Sequence, residues 1–215
     1  MSKKGLFIVF EGQEGAGKTS QASRLVKSLH ERGRRDAIQV REPGGTRIGE
    51  TIRTILLDVA NTGMHPLTEF FLFLASRVKF VEDIVKPKVE QGHIVVADRF
   101  ALSTMAYQIH ARGLPEGPCM TAINLAVQDS HPDVYILLTV TPERGRHRQE
   151  KQGKKADRLE SENLDFHRKV NEGYRYFGSK VANCHVIDTD DLTEDQVHEK
   201  VLEYLQRKFP EHMLV

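Results

Sequence analysis

Residues 12–19 read Gly-Gln-Glu-Gly-Ala-Gly-Lys-Thr, a complete match to the phosphate-binding pattern G-x-x-x-x-G-K-T. The apolar run at residues 6–10 precedes this pattern and has the character of a buried strand. After the pattern, apolar residues recur at helical spacing, namely Ala22, Leu25, Val26 and Leu29. The chain is therefore predicted to run from a buried strand through a glycine turn into a helix, with a nucleoside triphosphate bound at the turn.

The residues of this loop each have a chemical reason to be there. The glycines allow a tight turn, which points backbone N–H groups and the start of the next helix at phosphate oxygens. Lys18 would reach the β- and γ-phosphates, and the Thr19 hydroxyl would bind Mg²⁺. We therefore assign the triphosphate to a continuous run of residues: Gly12, Gln13, Glu14, Gly15, Ala16, Gly17, Lys18, Thr19 and Ser20.

The composition is that of an ordinary globular protein. The 215 residues have a formal net charge of +1, so no overall field draws the chain to nucleic acid or to an anionic membrane. The first apolar run is too short for a signal peptide, and no stretch approaches the ~18–20 apolar residues of a membrane helix. Cys119 and Cys184 suggest neither a disulfide framework nor a zinc site. We expect a cytoplasmic protein with a single domain over residues 1–215.

Apolar runs alternate with helical patterns along the chain, which predicts βαβ units and a parallel sheet. The predicted strands are residues 6–10, 37–40, 94–97, 134–139 and 185–187. The predicted helices are residues 18–32, 48–59, 67–90, 102–108, 120–129, 142–149 and 164–181, and a last helix begins with the capping box of Thr193 and Gln196. Pro87 is expected to kink or end the third helix. The fold class is a P-loop NTPase, a three-layer α/β/α fold with five parallel strands.

One segment departs from this pattern because it is strongly basic. The only acidic residues between positions 144 and 158 are Glu150 and Asp157. The cations are Arg144, Arg146, Arg148, Lys151, Lys154, Lys155 and Arg158. Taken alone, the segment fits a solvated turn, and the absence of interleaved aromatic residues disfavours a nucleic-acid patch. The rest of the chain favours a third interpretation, a short basic lid at about residues 144–160 that brings cations onto phosphates.

The residues after the third strand narrow the class of P-loop protein. The chain has no Asn-Lys-x-Asp motif, which a GTPase would usually carry. Asp98 and Arg99 follow the strand at residues 94–97, and Asp98 can hold Mg²⁺ and its water while Arg99 offers positive charge to phosphate. No carboxylate that would activate water stands beside them. This arrangement favours phosphoryl transfer to a second bound substrate over hydrolysis.

Several stretches together resemble the thymidylate (dTMP) kinases in order and spacing, over about residues 5–190. They are Phe10 to Thr19, Arg41-Glu-Pro-Gly-Gly-Thr46 with Ile48-Gly-Glu50, Phe73-x-x-x-Arg77, Asp98-Arg99-Phe100, Ser103-Thr104, Ala106-Tyr-Gln108, Pro132-Asp133 and Asp157-Arg158-x-Glu160. The resemblance implies that the chain uses ATP as phosphoryl donor and Mg²⁺ as cofactor to convert dTMP to dTDP for dTTP synthesis. It also implies a homodimer formed through helices such as the one predicted at residues 67–90.

The resemblance assigns roles at the base and sugar of dTMP. Phe73 would stack on thymine, although its apolar surroundings alone would suggest a core residue. Arg77 would donate to a base carbonyl, and Gln108 would present its amide to the base edge. Tyr107 would crowd the 2′ position of the sugar. Glu14 would engage the 3′-hydroxyl and Mg²⁺-bound water, so the metal site would comprise Thr19 directly, and Asp98 and Glu14 through water.

Other residues match positions near the acceptor phosphate. Arg99 would clamp this phosphate, the alternative being a purely structural partner for Asp98. Pro43 would shape the pocket, and Ser103 and Thr104 are also assigned to dTMP. Arg53 would touch the acceptor phosphate, or would be an exposed helical arginine.

The family has two subtypes that differ in the origin of a catalytic arginine. One subtype carries it in the phosphate loop directly after the acidic residue, where this chain has Gly15. The other carries it in the lid. We therefore expect Arg148 or Arg158, and less so Arg144 or Arg146, to act on the triphosphate together with Lys18 and Arg99.

Two alternative functions stay open at this point. Another pyrimidine monophosphate, such as dUMP or dCMP, could be the acceptor, and a single methyl group distinguishes dTMP from dUMP. Arg77 and Gln108 disfavour cytosine, whose exocyclic amine would face an arginine donor. A non-catalytic nucleotide switch would be expected to lose Glu14, Arg99 or the lid cations, all of which are present.

Overall fold

Five parallel strands form the central sheet of the computed structural model, which describes residues 5–151, 153 and 156–213. The strands are β1 Leu6–Glu11, β2 Ile38–Arg41, β3 Ile94–Asp98, β4 Val134–Thr139 and β5 Cys184–Asp188. Their order across the sheet is β2-β3-β1-β4-β5. The predicted strands and the fold class are confirmed, with strand ends differing by one residue at most.

Helices cover both faces of this sheet. They are α1 Lys18–Glu31, α2 Arg47–Leu57, α3 Pro66–Phe80, α4 Lys86–Glu90, α5 Ala101–Thr104, α6 Glu116–Val127, α7 Pro142–Lys151, α8 Leu164–Lys180, α9 Glu194–Lys208 and α10 Pro210–Met213. Alternate residues of β1 belong to two separate apolar cores: Phe7 packs on one side with α3 and α8, and Ile8 packs on the other with α1 and α9. A parallel sheet buried on both faces explains why its strands are almost uniformly apolar. None of the helices in the described part of the chain is long and apolar enough to cross a membrane.

Two helical stretches differ from the predictions because they contain wider, π-helical turns. The predicted helix at residues 67–90 is α3, a π-helical segment Val81–Val85 and α4, and the Lys86 N–H bonds to the Val81 carbonyl five residues back. This widening precedes Pro87, which has no N–H to donate, so the chain stays helical through the proline. A second π-helical segment, Met105–Ala111, continues α5 and carries Tyr107 and Gln108.

The remaining helix ends show two further features. The capping box of Thr193 and Gln196 forms as predicted, with reciprocal hydrogen bonds of 2.9 and 3.2 Å. Helix α6 begins at Glu116, four residues before its predicted start, because Pro118 lies in the first turn, where a missing N–H is tolerated.

Helix α8 contacts the segment Met105–Ala111 at Gly173. A Cβ atom at position 173 would lie 2.9 Å from the Ala106 Cα and 2.8 Å from the His110 Cβ, distances at which the backbone would have to shift. The glycine therefore allows α8 to approach the segment that carries Tyr107 and Gln108.

We expect Gly173→Ala to lower the free energy of unfolding by about 1–3 kcal/mol, because the added methyl group overpacks this contact. The matched control is Gly117→Ala in α6, where an added Cβ meets nothing within 4 Å. This control should leave stability unchanged or raise it by up to about 1 kcal/mol through helix propensity. Urea unfolding of the two variants measures the difference, and equal stabilities would contradict the packing argument.

Candidate active site

The phosphate loop connects β1 to α1 in a conformation that depends on glycine. Gly17 precedes α1 with φ of 96°, in the left-handed region, and α1 has no side-chain cap and no acidic residue in its first turn. Its first N–H groups therefore point without side-chain partners into the space in front of the helix, as an anion site requires. Lys18 folds over the loop and its Nζ donates to the Gln13 carbonyl at 2.8 Å. Burial and the neighbouring Arg99 lower the pKa of Lys18.

A cavity of about 840 Å³ lies against this loop. Residues 13–20 line it, together with Arg146 and Arg148 from α7 and Thr189 after β5. Gly12 does not line it. Its carbonyl instead accepts a hydrogen bond from Arg99 Nη1 at 3.2 Å.

A second cavity, of about 600 Å³, lies on the other side of the loop. It is lined by every predicted acceptor residue except Arg77: Glu14, Pro43, Arg53, Phe73, Arg99, Ser103, Thr104, Tyr107 and Gln108. Glu14, Lys18 and Thr19 line both cavities. Two ligands bound in these cavities would therefore meet at the phosphate loop.

Arg99 lines the second cavity beside the phosphate loop and is held from several sides. It has a positive φ of 75° directly after β3, and its Nη2 is paired with Glu14. Its Nη1 donates to Tyr174 Oη at 2.9 Å and to Ser103 Oγ at 3.1 Å. Burial alone would raise the pKa of Glu14, but the cations of Arg99 and Lys18 outweigh burial and hold that pKa at about 2. The ion-pair partner of Arg99 is thus Glu14, and the alternative of a pair with Asp98 is not what the structure shows.

Glu11 and Tyr174 support Arg99, and sequence reasoning missed both. Glu11 is fully buried and accepts hydrogen bonds from the Phe100 N–H at 2.8 Å and from Ser103 Oγ at 2.6 Å. The turn after β3 is thereby fixed to the end of β1. Burial raises the pKa of Glu11, although Ser103 and Arg99 lower it in part. The only signal in the sequence was a charged residue at the end of an apolar strand.

Asp98 and Thr19 lie side by side at the ends of β3 and the loop. Thr19 Oγ1 donates to Asp98 Oδ2, while Asp98 Oδ1 is buried and has no hydrogen-bond partner among the described residues. A free carboxylate oxygen beside a hydroxyl fits Mg²⁺, which prefers oxygen ligands and keeps several of its waters. In the described ranges, 5–151, 153 and 156–213, no three His, Cys, Asp or Glu side chains are grouped to hold a metal by themselves.

Arg77 is buried behind the wall of the second cavity and does not line it. Its Nε pairs with Glu42 at 2.9 Å, and its Nη2 donates to Thr104 Oγ1 at 2.8 Å and to the Phe100 carbonyl at 3.1 Å. Its Nη1 is buried without a partner in the part of the chain that the structure describes. Burial raises the pKa of Glu42 to about 7, although Arg77 opposes that shift. Arg77 therefore keeps one guanidinium nitrogen without a partner, although this nitrogen does not line the cavity.

The base of the lid is tied to the phosphate loop. A Cβ at Gly15 would lie 2.2 Å from the Gly145 carbonyl, and a Cβ at Gly145 would lie 2.5 Å from the Glu14 carbonyl. The two backbones are in direct contact, so a side chain has no room at position 15. This contact explains in steric terms why a loop arginine is excluded here.

The predicted lid arginines are not equivalent. Arg148 donates to the Thr189 carbonyl at 2.6 Å and to the Gly15 carbonyl at 3.3 Å, beside the first cavity. Arg158 lies elsewhere, because it is buried and paired with Glu69 at 2.7 Å. The prediction that Arg158 would stand over the triphosphate is not what this structure shows. Lys154 and Lys155 lie outside the described residues.

Comparisons with known proteins show the family of the chain. The family model described as thymidylate kinase matches residues 10–201. The chain is 44% identical over 171 residues to a thymidylate kinase of Caldanaerobacter subterraneus subsp. tengcongensis, covering 80% of each chain. It is 39% identical to a thymidylate kinase of Maridesulfovibrio salexigens, covering 91% of this chain and 93% of that protein. The crystal structure of thymidylate kinase from Ehrlichia chaffeensis superposes with a TM-score of 0.76 at 32% identity, over 94% of this chain and 98% of that one.

Proposed function

We propose, because the chain belongs to the thymidylate kinase family, that it transfers a phosphoryl group from ATP to dTMP, giving ADP and dTDP. The observation that carries this conclusion is the pair of cavities that meet at Glu14, Lys18 and Thr19. ATP would occupy the cavity against residues 13–20, and dTMP would occupy the cavity lined by Phe73 and Arg99. In that arrangement the acceptor phosphate faces the end of the triphosphate.

The reaction needs positioning and charge neutralisation more than a general base. A phosphate monoester loses its second proton near pH ~6, so its oxygen is already a nucleophile at neutral pH. That oxygen attacks the γ-phosphorus, the bond to the β–γ bridging oxygen breaks, and ADP leaves. Lys18 and Arg99 offset the charge that shifts between the two polyanions. Because Glu14 already balances Arg99, the arginine is held in place before the acceptor binds.

Thr19 and Asp98 would hold Mg²⁺, the latter through water, and Glu14 would add a water-mediated contact. The unpartnered Asp98 Oδ1 supports this assignment. When bound, Mg²⁺ would neutralise charge on the triphosphate oxygens.

The side chains of the second cavity suit a deoxynucleoside of thymine. Phe73 lines the wall and would stack on the base, while Gln108 would contact the base edge. Arg77 lies behind this wall, so its unpartnered Nη1 would reach a base carbonyl only after the wall residues shift. Tyr107 would crowd the 2′ position, and Arg53, whose Nη1 is held on the Pro43 carbonyl at 3.0 Å, would contact the acceptor phosphate. Ser103, Thr104 and Pro43 complete the assigned set.

The activity is tested by measuring ADP release with ATP·Mg²⁺ and a panel of dTMP, dUMP, dCMP, dGMP and UMP. We expect ADP to form chiefly with dTMP, because the proposed pocket selects the base edge and excludes a 2′-hydroxyl. Preference for another monophosphate would keep phosphoryl transfer but refute the base assignments. ADP formed without an acceptor, or none formed by folded protein that binds ATP, would support the nucleotide-switch alternative.

We propose that Arg148 is the lid arginine that acts on the triphosphate. Arg148→Ala should lower kcat by about 10²–10³-fold, the usual effect of removing one preorganised donor to developing charge. The matched control is Arg144→Ala, because Arg144 is on the same helix but exposed, paired with Asp191 at 2.8 Å, and lines neither cavity. The control should change kcat less than about threefold. Equal effects in steady-state assays of the two variants would refute the assignment to Arg148.

We also propose that the chain forms a homodimer through α2, α3 and α6. Phe71 of α3 is 59% exposed and Leu125 of α6 is 80% exposed. Further exposed apolar residues on these neighbouring elements are Ile48, Ile55 and Leu67. Exposed apolar side chains on these adjacent helices fit contact with a second copy of the same surface.

Phe71→Glu should convert the dimer to a monomer, because it would bury a charge in an apolar interface, and the two-fold symmetry would do so twice. Light scattering after size exclusion measures the mass, and circular dichroism confirms folding. Val186→Glu on the edge strand β5, where Val186 is 51% exposed, is the control and should leave the mass unchanged. A wild-type monomer, or a dimer that survives Phe71→Glu, would contradict the proposed interface.

A further inference from the structure

Glu69 is a charged residue in an apolar stretch of α3, and it is fully buried. Its Oε1 accepts hydrogen bonds from Gln108 Nε2 at 2.9 Å and from Arg112 Nε at 3.2 Å. Its Oε2 is paired with Arg158 Nη1 at 2.7 Å and accepts from Arg112 Nη2 at 3.2 Å. All four of these contacts come from donors, so the two oxygens are fully used.

This carboxyl group is ionised at neutral pH. Burial alone would raise the pKa of Glu69, but hydrogen bonds from Arg112 and Gln108 and the charges of Arg112 and Arg158 outweigh burial and lower it. A carboxylate has no proton to donate, so only the nitrogen of the Gln108 amide can face it. The reverse orientation would place the amide oxygen against a buried negative charge with no proton between them.

The fixed nitrogen determines what Gln108 offers to the second cavity. Gln108 is buried and lines this cavity, and its Oε1 has no hydrogen-bond donor in the described ranges. The amide nitrogen has two N–H donors, and one of them is used by Glu69. Because the nitrogen is fixed on that side, the Oε1 acceptor is turned away from Glu69 and is left for the ligand. The cavity wall therefore presents an acceptor at Gln108.

Pyrimidines differ in what they offer to such an acceptor. Thymine and uracil carry a proton on N3 and can donate there. Neutral cytosine has a bare N3, which is itself an acceptor, and an acceptor facing an acceptor leaves both groups unsatisfied.

We propose that Glu69 is a positioning residue that determines base specificity: by fixing the orientation of the Gln108 amide, it makes the pocket accept bases that donate from N3 and reject cytosine. Glu69 acts through Gln108 and does not itself line the cavity. The inference rests on the proposed function, because it concerns the pyrimidine monophosphate that occupies the acceptor cavity.

Glu69→Gln tests this role with almost no change of shape. Arg158 and Arg112 both donate to the Oε2 position, whereas Oε1 faces only one guanidinium, so the new amide nitrogen is expected at the Oε1 position. It then faces Gln108 as a donor, and the Gln108 amide must turn to accept from it. The pocket would consequently present N–H instead of oxygen to the base.

The experiment measures kcat/KM for dTMP, dUMP and dCMP, with dCMP also tested as a competitive inhibitor where its turnover is too slow. In Glu69→Gln we expect the dCMP-to-dTMP ratio to rise about tenfold or more, because one base gains a hydrogen bond and the other loses one. The dUMP-to-dTMP ratio should stay within about twofold of wild type, since both bases donate from N3. The change should lie mainly in KM.

Arg112→Gln is the matched control, because it weakens the same buried cluster but leaves the bond between Glu69 and Gln108. It should lower stability while keeping both ratios at wild-type values. If Glu69→Gln does not fold, the charge-balanced double variant Glu69→Gln/Arg112→Gln replaces it, with the same expected ratios.

Two results would overturn the inference. The first is an unchanged dCMP-to-dTMP ratio in folded protein, and the second is a parallel fall in activity with all three nucleotides, which a purely structural role would give. Failure of the proposed function is a separate result, because wild-type protein would then not phosphorylate dTMP at all.

Discussion

The register of β1 against β3 is the constraint on which the site depends. Phe10 pairs with Asp98 across these strands, and the Arg99 N–H donates to the Phe10 carbonyl at 2.9 Å. Both strands therefore end at the same level, and the phosphate loop emerges beside Asp98 and Arg99. Ligands of open α/β sheets bind at the carboxyl ends of the strands for this reason. A shift of one residue in this pairing would separate the loop from the groups that serve it.

Bringing these charges together requires that each has a partner before any ligand binds. Arg99 is balanced by Glu14, and Arg77 by Glu42. An unpaired charge at such a depth would cost several kcal/mol, and the pairs offset that cost only where their geometry is good. The pKa of about 2 for Glu14 is a consequence of this arrangement. Arg99, which we propose binds the acceptor phosphate, is thus already oriented in the free protein, and a bound polyanion would compete with Glu14 for it.

Sequence patterns predicted the features that depend on neighbouring residues. β4 has the predicted bounds, Val134–Thr139, because a short apolar run between turns specifies a buried strand. Glu69 could not be assigned in this way. Its partners Gln108 and Arg112 are 39 and 43 positions away. The neighbouring sequence therefore gives no reason for a carboxylate in this apolar stretch. The prediction for Arg158 differs from the structure for the same reason. The basic segment indicated a phosphate as the partner of Arg158, whereas the fold places the buried carboxylate of Glu69 beside it.

The contact between Gly15 and Gly145 explains why the phosphate loop of this chain has no arginine at position 15. The missing loop arginine was evident in the sequence, but a glycine there could mean either a lost catalytic group or a required close approach. The backbone distances favour the second interpretation, since any side chain at position 15 would collide with α7. The helix that bears Arg148 is therefore seated on the loop that would bind the triphosphate, and Arg148 itself donates to the Gly15 carbonyl. The same contact leaves no room for an arginine at position 15 and holds the helix that carries Arg148 against the loop. In this chain an arginine in the loop and an arginine supplied by α7 are therefore sterically exclusive.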